Sequence, residues 1–234
     1  MSSSSIVVVA GFGPGISNSV AKKWGRLGFK VALVSRTKSR VDEGAAALAQ
    51  DGIDAKGFAA DLTDPNAVKQ VLADAKKAFD GAKVKILHWN AYGQGAGLLD
   101  HKIADLLVQN FAISVSNILV AVHAVLPDLE ATKGAVLVTG GAFGLEHDDA
   151  VKAALAFNAA TLAISKAAQR KTVFLLNATL ASKGIYAGEV TVAGQVKGTA
   201  WDDGKGTATI DPDDVANKFA ELEEKRDVVN VIFS

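Results

Sequence analysis

Three glycines fall within the segment from Ile6 to Ser17, IVVVAGFGPGIS, behind a β-branched run and ahead of an apolar helical pattern. A buried parallel strand ending at Ala10 would hand the chain to Gly11 for a tight turn. Gly15, with no Cβ, would let a pyrophosphate approach the amides that open the following helix, where the helix dipole favours an anion. The pattern is not G-x-G-x-x-G, because Ile16 stands where that motif needs its last glycine; it is G-x-x-x-G-x-G with Ser17 in the final place. Glycine clusters also serve plain turns, so the chemistry has to be argued from residues elsewhere.

The end of the second strand supplies the first such argument. An acidic side chain there would accept from a ribose 2′-hydroxyl, whereas a basic one would pair with a 2′-phosphate. The sequence VALVSRTKSR places Ser35 and Arg36 at the strand end with Lys38 and Arg40 close behind, and no carboxylate precedes Asp42. A guanidinium fork suits a phosphate, so the site favours NADP(H) over NAD(H); the alternative is a solvated basic loop. Asp61, after the third strand, could accept from an adenine amino group or cap the next helix, although Thr63 or Asp64 before Pro65 suits the cap better. Asn90 ends the fourth strand beside the first loop. These positions all lie at carboxyl ends of strands, where open α/β sheets bind ligands.

The elements that must position them alternate along the chain. Strand patterns at residues 6–10, 31–34, 55–59, 84–88, 135–139, 190–193 and 228–233 are separated by helical patterns at 19–27, 40–50, 66–79, 104–126, 155–181 and 212–224. Strands too apolar to have a wet face imply a parallel sheet covered on both sides, and right-handed crossovers make it doubly wound: a three-layer α/β Rossmann fold in a single domain over residues 1–234. Glycines 28, 52, 81, 134 and 184 close elements where helix ends call for positive φ. Only residues 2–5 and the glycine-containing loop 199–209 read as mobile.

The chain has 234 residues, 49% hydrophobic and 21% charged, which suits one well-buried domain. Its 25 basic and 25 acidic side chains cancel, so no global field favours nucleic acid or an anionic membrane. The absence of cysteine excludes disulfides and thiolate metal sites. No basic n-region precedes residues 6–10, and no uninterrupted apolar run approaches a membrane span, so a cytoplasmic location is expected. No histidine and carboxylate spacing suggests a metal, and His88, His101 and His123 read as packing or surface residues.

These residues together resemble the short-chain dehydrogenases/reductases over nearly the whole chain, from Gly11–Ser17 through Asp61, Asn90-Ala91, the helix ending Ala124-Val125-Leu126-Pro127, and Ala193-Gly194. The resemblance implies that Gly11, Phe12, Gly15 and Ile16 hold the pyrophosphate and Arg36 the adenosine phosphate. It puts Asp61 and Leu62 at adenine, Asn90 and Ala91 at the ribose, and Val196 at the nicotinamide amide. It also implies a homodimer or homotetramer formed through the helices at 104–126 and 155–181.

The family's Tyr-x-x-x-Lys is missing. The chain's two tyrosines, Tyr92 and Tyr186, are followed four residues later by Ala96 and Val190. Counting back from Gly184 and Gly194 puts the family's lysine on Lys166 and its tyrosine on Leu162; the strand-end serine falls on Gly140 and the helix asparagine on Ser114. Leucine cannot donate a proton. Lys166 could still bind two ribose hydroxyls, and Tyr92, Thr139 and the loop His147–Asp149 are the nearest polar groups by topology, although each also reads as wall or surface. The short segment 194–211 implies an open site or a glycine-hinged flap closed by Trp201. Three functions fit: an NADP(H)-dependent oxidoreductase with a degenerate catalytic set, a catalytically silent NADP(H)-binding protein acting by association or cofactor sensing, and a non-redox enzyme on the same scaffold.

Overall fold

A computed structural model describes residues 5–234. Seven strands form one parallel sheet in the order β3-β2-β1-β4-β5-β6-β7. They are β1 (Ser5–Ala10), β2 (Lys30–Ser35), β3 (Ala55–Ala59), β4 (Lys83–Trp89), β5 (Ala135–Gly141), β6 (Tyr186–Val192) and β7 (Asn230–Phe233). Strand order reverses between β1 and β4, which opens a crevice at their carboxyl ends.

The period of two along β1 sorts its side chains into two cores. Val7 and Val9 pack under α1 (Ile16–Arg26), α2 (Lys38–Gln50) and α8 (Pro212–Lys225), against Val20, Trp24, Leu48 and Phe219. Ile6, Val8 and Ala10 face α3 (Pro65–Ala78), α5 (Asn117–Thr132) and α7 (Ala160–Leu180), against Val71, Ile118, Val122 and Val173. This is the doubly wound, three-layer arrangement the strand composition implies. Residues 2–4 of the N-terminal stretch read as mobile lie outside the described residues, and Ser5 opens β1.

Four departures from the sequence reading have local causes. The helix expected at 104–126 is α4 (Ile103–Phe111), a π-helical turn at Ala112–Ser116, and α5, which runs on past Pro127 to Thr132. The carbonyls set loose by the π turn are taken up from outside: Trp89 Nε1 donates to Ile113 O at 2.9 Å and Gln169 Nε2 to Ser114 O at 3.2 Å. By length and composition the whole run Ile103–Thr132 is apolar enough to cross a membrane; half of its most apolar stretch is buried in the domain.

The helix expected at 155–181 is instead α6 (Asp148–Ala156) followed by α7. Asn158 breaks it at φ 51°, a left-handed conformation that asparagine tolerates, and Ala159 N closes the end on Ala154 O at 2.7 Å. Strand β6 starts at Tyr186 rather than 190: its first four residues pair with Ala135–Val138 of β5, and Glu189 lies buried within the strand despite its charge. Of the helix-closing glycines, 28, 52, 81 and 184 have positive φ, but at the end of α5 the left-handed residue is Lys133, at φ 49°. Gly134 serves close approach instead: a Cβ there would lie 2.3 Å from Lys85 O.

Candidate active site

The β1–α1 turn is built from backbone contacts. Gly11 takes φ 83°, and a Cβ on it would sit 2.4 Å from Ala91 N, so the loops after β1 and β4 touch main chain to main chain. Asn90 fastens them, its amide donating to Ala10 O at 2.8 Å and its Nδ2 to Gly11 O at 3.3 Å. The amides of Gly11 and Phe12 both donate to Val34 O, at 2.9 and 2.8 Å. Both amides are therefore engaged within the fold. The Gly13 amide donates to Ser17 Oγ at 2.9 Å, and that hydroxyl donates back to Gly13 O.

Helix α1 then begins at Ile16 behind Gly15, at φ 80°, with no capping side chain and no acidic residue in its first turn. Such an end presents orphan N–H groups and the positive pole of the helix. Gly15 itself packs on the 197–209 loop, where a Cβ on it would lie 2.4 Å from Thr199 Cγ2; the positive helix end at Ile16 fits an anionic group.

Arg36 is exposed just past β2, and Lys38 is paired with Asp42 at 2.7 Å. Asp61 Oδ1 accepts from the Thr63 amide at 3.0 Å and the Thr63 hydroxyl at 2.8 Å. The Thr63 amide holds the Asp61 carboxyl below its ordinary range, and the charge of Arg36 adds to this. Asp64, not Asp61, caps α3 by accepting from Asn66 N. Leu62 is buried, its carbonyl accepting from Asn117 Nδ2 at 2.8 Å, and Ala91 is buried against Gly11.

A cleft of about 530 Å³ opens at the carboxyl ends of β4, β5 and β6. Of the residues singled out in the sequence, Ile16, Asn90, Lys166 and Val196 line it, together with Tyr92, Thr139, Gly140, His147, Asp149, Leu162 and Trp201. Gly11, Phe12, Gly15, Arg36, Asp61, Leu62 and Ala91 sit outside that lining, along the strand ends leading to it. Much of the wall is apolar: Leu145, Ala150, Ala153 and Phe157 come from the β5–α6 segment, helix α6 and the residue just after it.

Lys166 is 7% exposed. Its Nζ donates to Thr139 O at 2.7 Å and Gln169 Oε1 at 2.8 Å, which leaves one N–H without a partner among the described residues. Burial lowers its pKa to about 8, opposed by the charge of Glu189. Leu162, one helical turn earlier, is buried in the same cleft wall. Ser114 is buried within the π turn, its hydroxyl without a hydrogen-bond partner among the described residues.

Glu189 is a residue that the sequence reading passed over. Its Oε1 accepts from Thr191 Oγ1 at 2.6 Å and Asn230 Nδ2 at 3.1 Å and lies 3.7 Å from Arg170 Nε; burial pushes its carboxyl pKa up. A Cβ on Gly140 would fall 2.3 Å from that oxygen, whereas a Cβ on Gly141 would meet the aliphatic stem of Lys166 at 3.8 Å. Gly140, the residue to which the serine position was counted, thus faces Glu189, and it is Gly141 whose missing side chain faces the lysine. An acidic residue inside a β-branched run, Tyr-Ala-Gly-Glu-Val-Thr-Val, was the available signal.

The loop 197–209 is pinned at its base by the Val196–Ile210 bridge and by Lys197 N donating to Ile210 O. Within it the Asp202 carboxylate accepts from the amides of Gly198 and Gly204, which hold its pKa down. Trp201 reaches across the cleft, stacking edge-on to Phe143 and Phe157, with Nε1 donating to Tyr92 Oη at 3.3 Å. His147 caps α6 through Nδ1, and His88 lies buried edge-on to Phe219, where burial holds it neutral down to about pH 3.

Residues 5–201 match the family model described as short chain dehydrogenase. An uncharacterized oxidoreductase of Staphylococcus aureus strain MW2 is 30% identical over 146 residues, 60% of this chain and 60% of that protein. The 2-(S)-hydroxypropyl-CoM dehydrogenase 3 of Xanthobacter autotrophicus is 29% identical over 141 residues, 60% of this chain and 54% of its own length. The chain thus spans less than two thirds of the length of these curated relatives. Among solved structures, a Caenorhabditis elegans short-chain dehydrogenase/reductase of unknown function with cofactor superposes at TM-score 0.82, with 18% identity and coverage of 99% of this chain and 94% of that one. A metagenomic short-chain oxidoreductase in complex with NADP gives TM-score 0.77, 21% identity and coverage of 99% and 97%. The family match establishes that this chain belongs to the short chain dehydrogenases.

Proposed function

We propose that the protein is an NADP(H)-dependent oxidoreductase acting on a small carbonyl or alcohol through an altered active site. The observation that carries this reading is Lys166. It is buried in the cleft lining and fixed by two acceptors, with its third N–H available for a ribose hydroxyl, and the start of α1 at Gly15–Ile16 carries no side-chain cap. Arg36 at the end of β2 supports the phosphorylated cofactor, and the NADP named in the metagenomic neighbour agrees with it. Gly15 and Ile16 would hold the pyrophosphate, Arg36 the 2′-phosphate, Asp61 and Leu62 the adenine, Asn90, Ala91 and Lys166 the ribose, and Val196 the amide. Bound there, the nicotinamide would supply a hydride. Fluorescence titration tests the reading: NADPH binds more tightly than NADH, and Arg36→Ala weakens NADPH by about tenfold or more, the loss of one charge-assisted phosphate contact. Equal affinities in the unaltered protein would overturn the NADP preference.

Leu162 supports a second reading, a silent NADP(H)-binding protein, because leucine cannot protonate a carbonyl. NADPH oxidation against a carbonyl panel separates the two. Apolar side chains exposed on α4, α5 and α7, among them Val108, Leu119, Ile164, Phe174 and Leu175, support self-association as a dimer or tetramer. A monomer in sedimentation would contradict it.

A further inference from the structure

We propose that Tyr92, carried on the loop after β4, is the proton donor of this active site, in place of the hydroxyl that α7 lacks at Leu162. The proposal rests on the oxidoreductase reading and names the group that would complete it.

The placement is fixed by hydrogen bonds to the segments on both sides. On one side of Tyr92, Asn90 and Ala91 are locked to the β1 loop. On the other, Gln94 O accepts from Asn110 Nδ2 at 2.9 Å and Thr161 Oγ1 at 3.0 Å, while Ala96 N donates to Thr161 Oγ1 and Thr161 N to Ala96 O. Thr161 immediately precedes Leu162. The segment bearing Tyr92 is therefore fastened to the first turn of α7, where Leu162 stands, and the Tyr92 ring centroid lies 5.8 Å from Lys166 Nζ.

The hydrogen bonding leaves Tyr92 free to act. Its oxygen accepts from Trp201 Nε1, so its own O–H can point into the cleft. With NADPH bound, whose nicotinamide would supply a hydride to the carbonyl carbon, the Tyr92 hydroxyl would give its proton to the carbonyl oxygen, leaving an alcohol and NADP⁺. The phenolate left behind keeps the Trp201 N–H as donor and the Lys166 charge near its ring, and with 42% of Tyr92 exposed, water can return the proton.

Apart from Lys166, whose third N–H is left to the ribose, and His147, the other polar groups lining the cleft are engaged, turned to solvent or not acidic. The Thr199 hydroxyl donates to Val196 O at 2.8 Å. Thr139 Oγ1 lies 3.5 Å from His88 Nε2, the Asp149 side chain is 92% exposed beside Lys152, and His147, anchored at the start of α6 by Nδ1 accepting from Ala150 N, keeps an Nε2–H that the Tyr92→Phe comparison leaves in place. Asn90 and Gln195 are amides.

The test compares the unaltered protein with Tyr92→Phe, which keeps the ring and loses the hydroxyl. Turnover of NADPH with a carbonyl panel should fall by about 100-fold or more while NADPH affinity and melting temperature stay unchanged. In the Tyr92→Phe background, Leu162→Tyr should restore part of the lost rate. Independently of turnover, the infrared carbonyl stretch of ¹³C-labelled acetophenone bound with NADP⁺ should lie at lower frequency in the unaltered protein than in Tyr92→Phe. Turnover within about threefold of the unaltered protein, or the same carbonyl frequency in both, would overturn the assignment of Tyr92 alone. An unaltered protein that binds NADPH and reduces no carbonyl would overturn the oxidoreductase reading and Tyr92 with it.

Discussion

At the β1–α1 end of the cleft the closest contacts run from main chain to main chain, whereas at the β5–α7 end side chains make them. Gly11 packs its backbone on that of Ala91, and Gly11 and Phe12 share the carbonyl of Val34. Across the cleft, Lys166 is held by Gln169 as well as by a carbonyl, and Glu189 fills the space beside Gly140. A backbone site admits few alternatives, because only glycine provides positive φ and close approach together. A side-chain site can exchange its parts. The first end keeps the glycines that a phosphate loop needs; the second has Leu162, Ser114 and two adjacent glycines, Gly140 and Gly141, where the resemblance leads one to expect side chains that do chemistry.

The largest effect expected from this contrast is at Gly11. Gly11→Val would add the strain of a β-branched residue at φ 83° to an overlap with Ala91 N at 2.4 Å. Together these cost roughly 3 to 5 kcal/mol. Chemical denaturation should show that loss, and NADPH titration should show no binding. A stable Gly11→Val variant with intact affinity would break the claim that this end is fixed by backbone.

Next in size is the pH dependence of the other end. The Lys166 ammonium loses its proton near pH 8 when folded and near 10.5 when unfolded, because burial disfavours its charge more than Glu189 supports it. Below pH 8 both states carry the proton and the buried charge weighs fully against the fold. Between the two values only the unfolded chain still binds it, so the lysine's contribution to stability rises with pH, by about 3 kcal/mol across the window. Denaturation of the cofactor-free protein at several pH values should show this rise, and Lys166→Met should flatten it. A wild-type profile no steeper than that of Lys166→Met would mean the ammonium is better solvated than its surroundings imply.

The same contrast explains what could be read from the sequence. The glycine turn, the two-faced burial of β1 and the position of Asn90 follow from residue type and spacing, since backbone requirements leave a one-dimensional trace. Elements whose form depends on distant partners leave none. The π turn at Ala112–Ser116 is supported by Trp89 and Gln169, from elsewhere in the chain. The break at Asn158 interrupts a continuous apolar pattern. The engagement of the Gly11 and Phe12 amides depends on Val34, and the burial of Glu189 on Arg170, Thr191 and Asn230. Lys166 could be placed by counting, but its acceptors and its nearness to Tyr92 could not.

The smallest predicted effect distinguishes two adjacent glycines. At Gly140 an added side chain must displace the Glu189 carboxylate, 2.3 Å from the new Cβ, and with it the hydrogen bonds from Thr191 and Asn230. Gly140→Ser should therefore destabilise the fold by about 1 to 3 kcal/mol. Gly141, at φ −146°, has Lys166 carbons 3.8 Å away as its nearest neighbours, an ordinary contact. Gly141→Ser should leave stability within about 0.5 kcal/mol of the parent and bring a hydroxyl to the lysine's side of the cleft. Melting curves of the two variants decide it, and equal losses would mean that Glu189 moves aside readily and that the space beside Gly140 is not reserved for it. If the asymmetry holds, Glu189 has taken the space on one face of the β5 end while the face toward Lys166 remains open. A hydroxyl could then be rebuilt only at Gly141, and the chemistry now available there has to come from across the cleft.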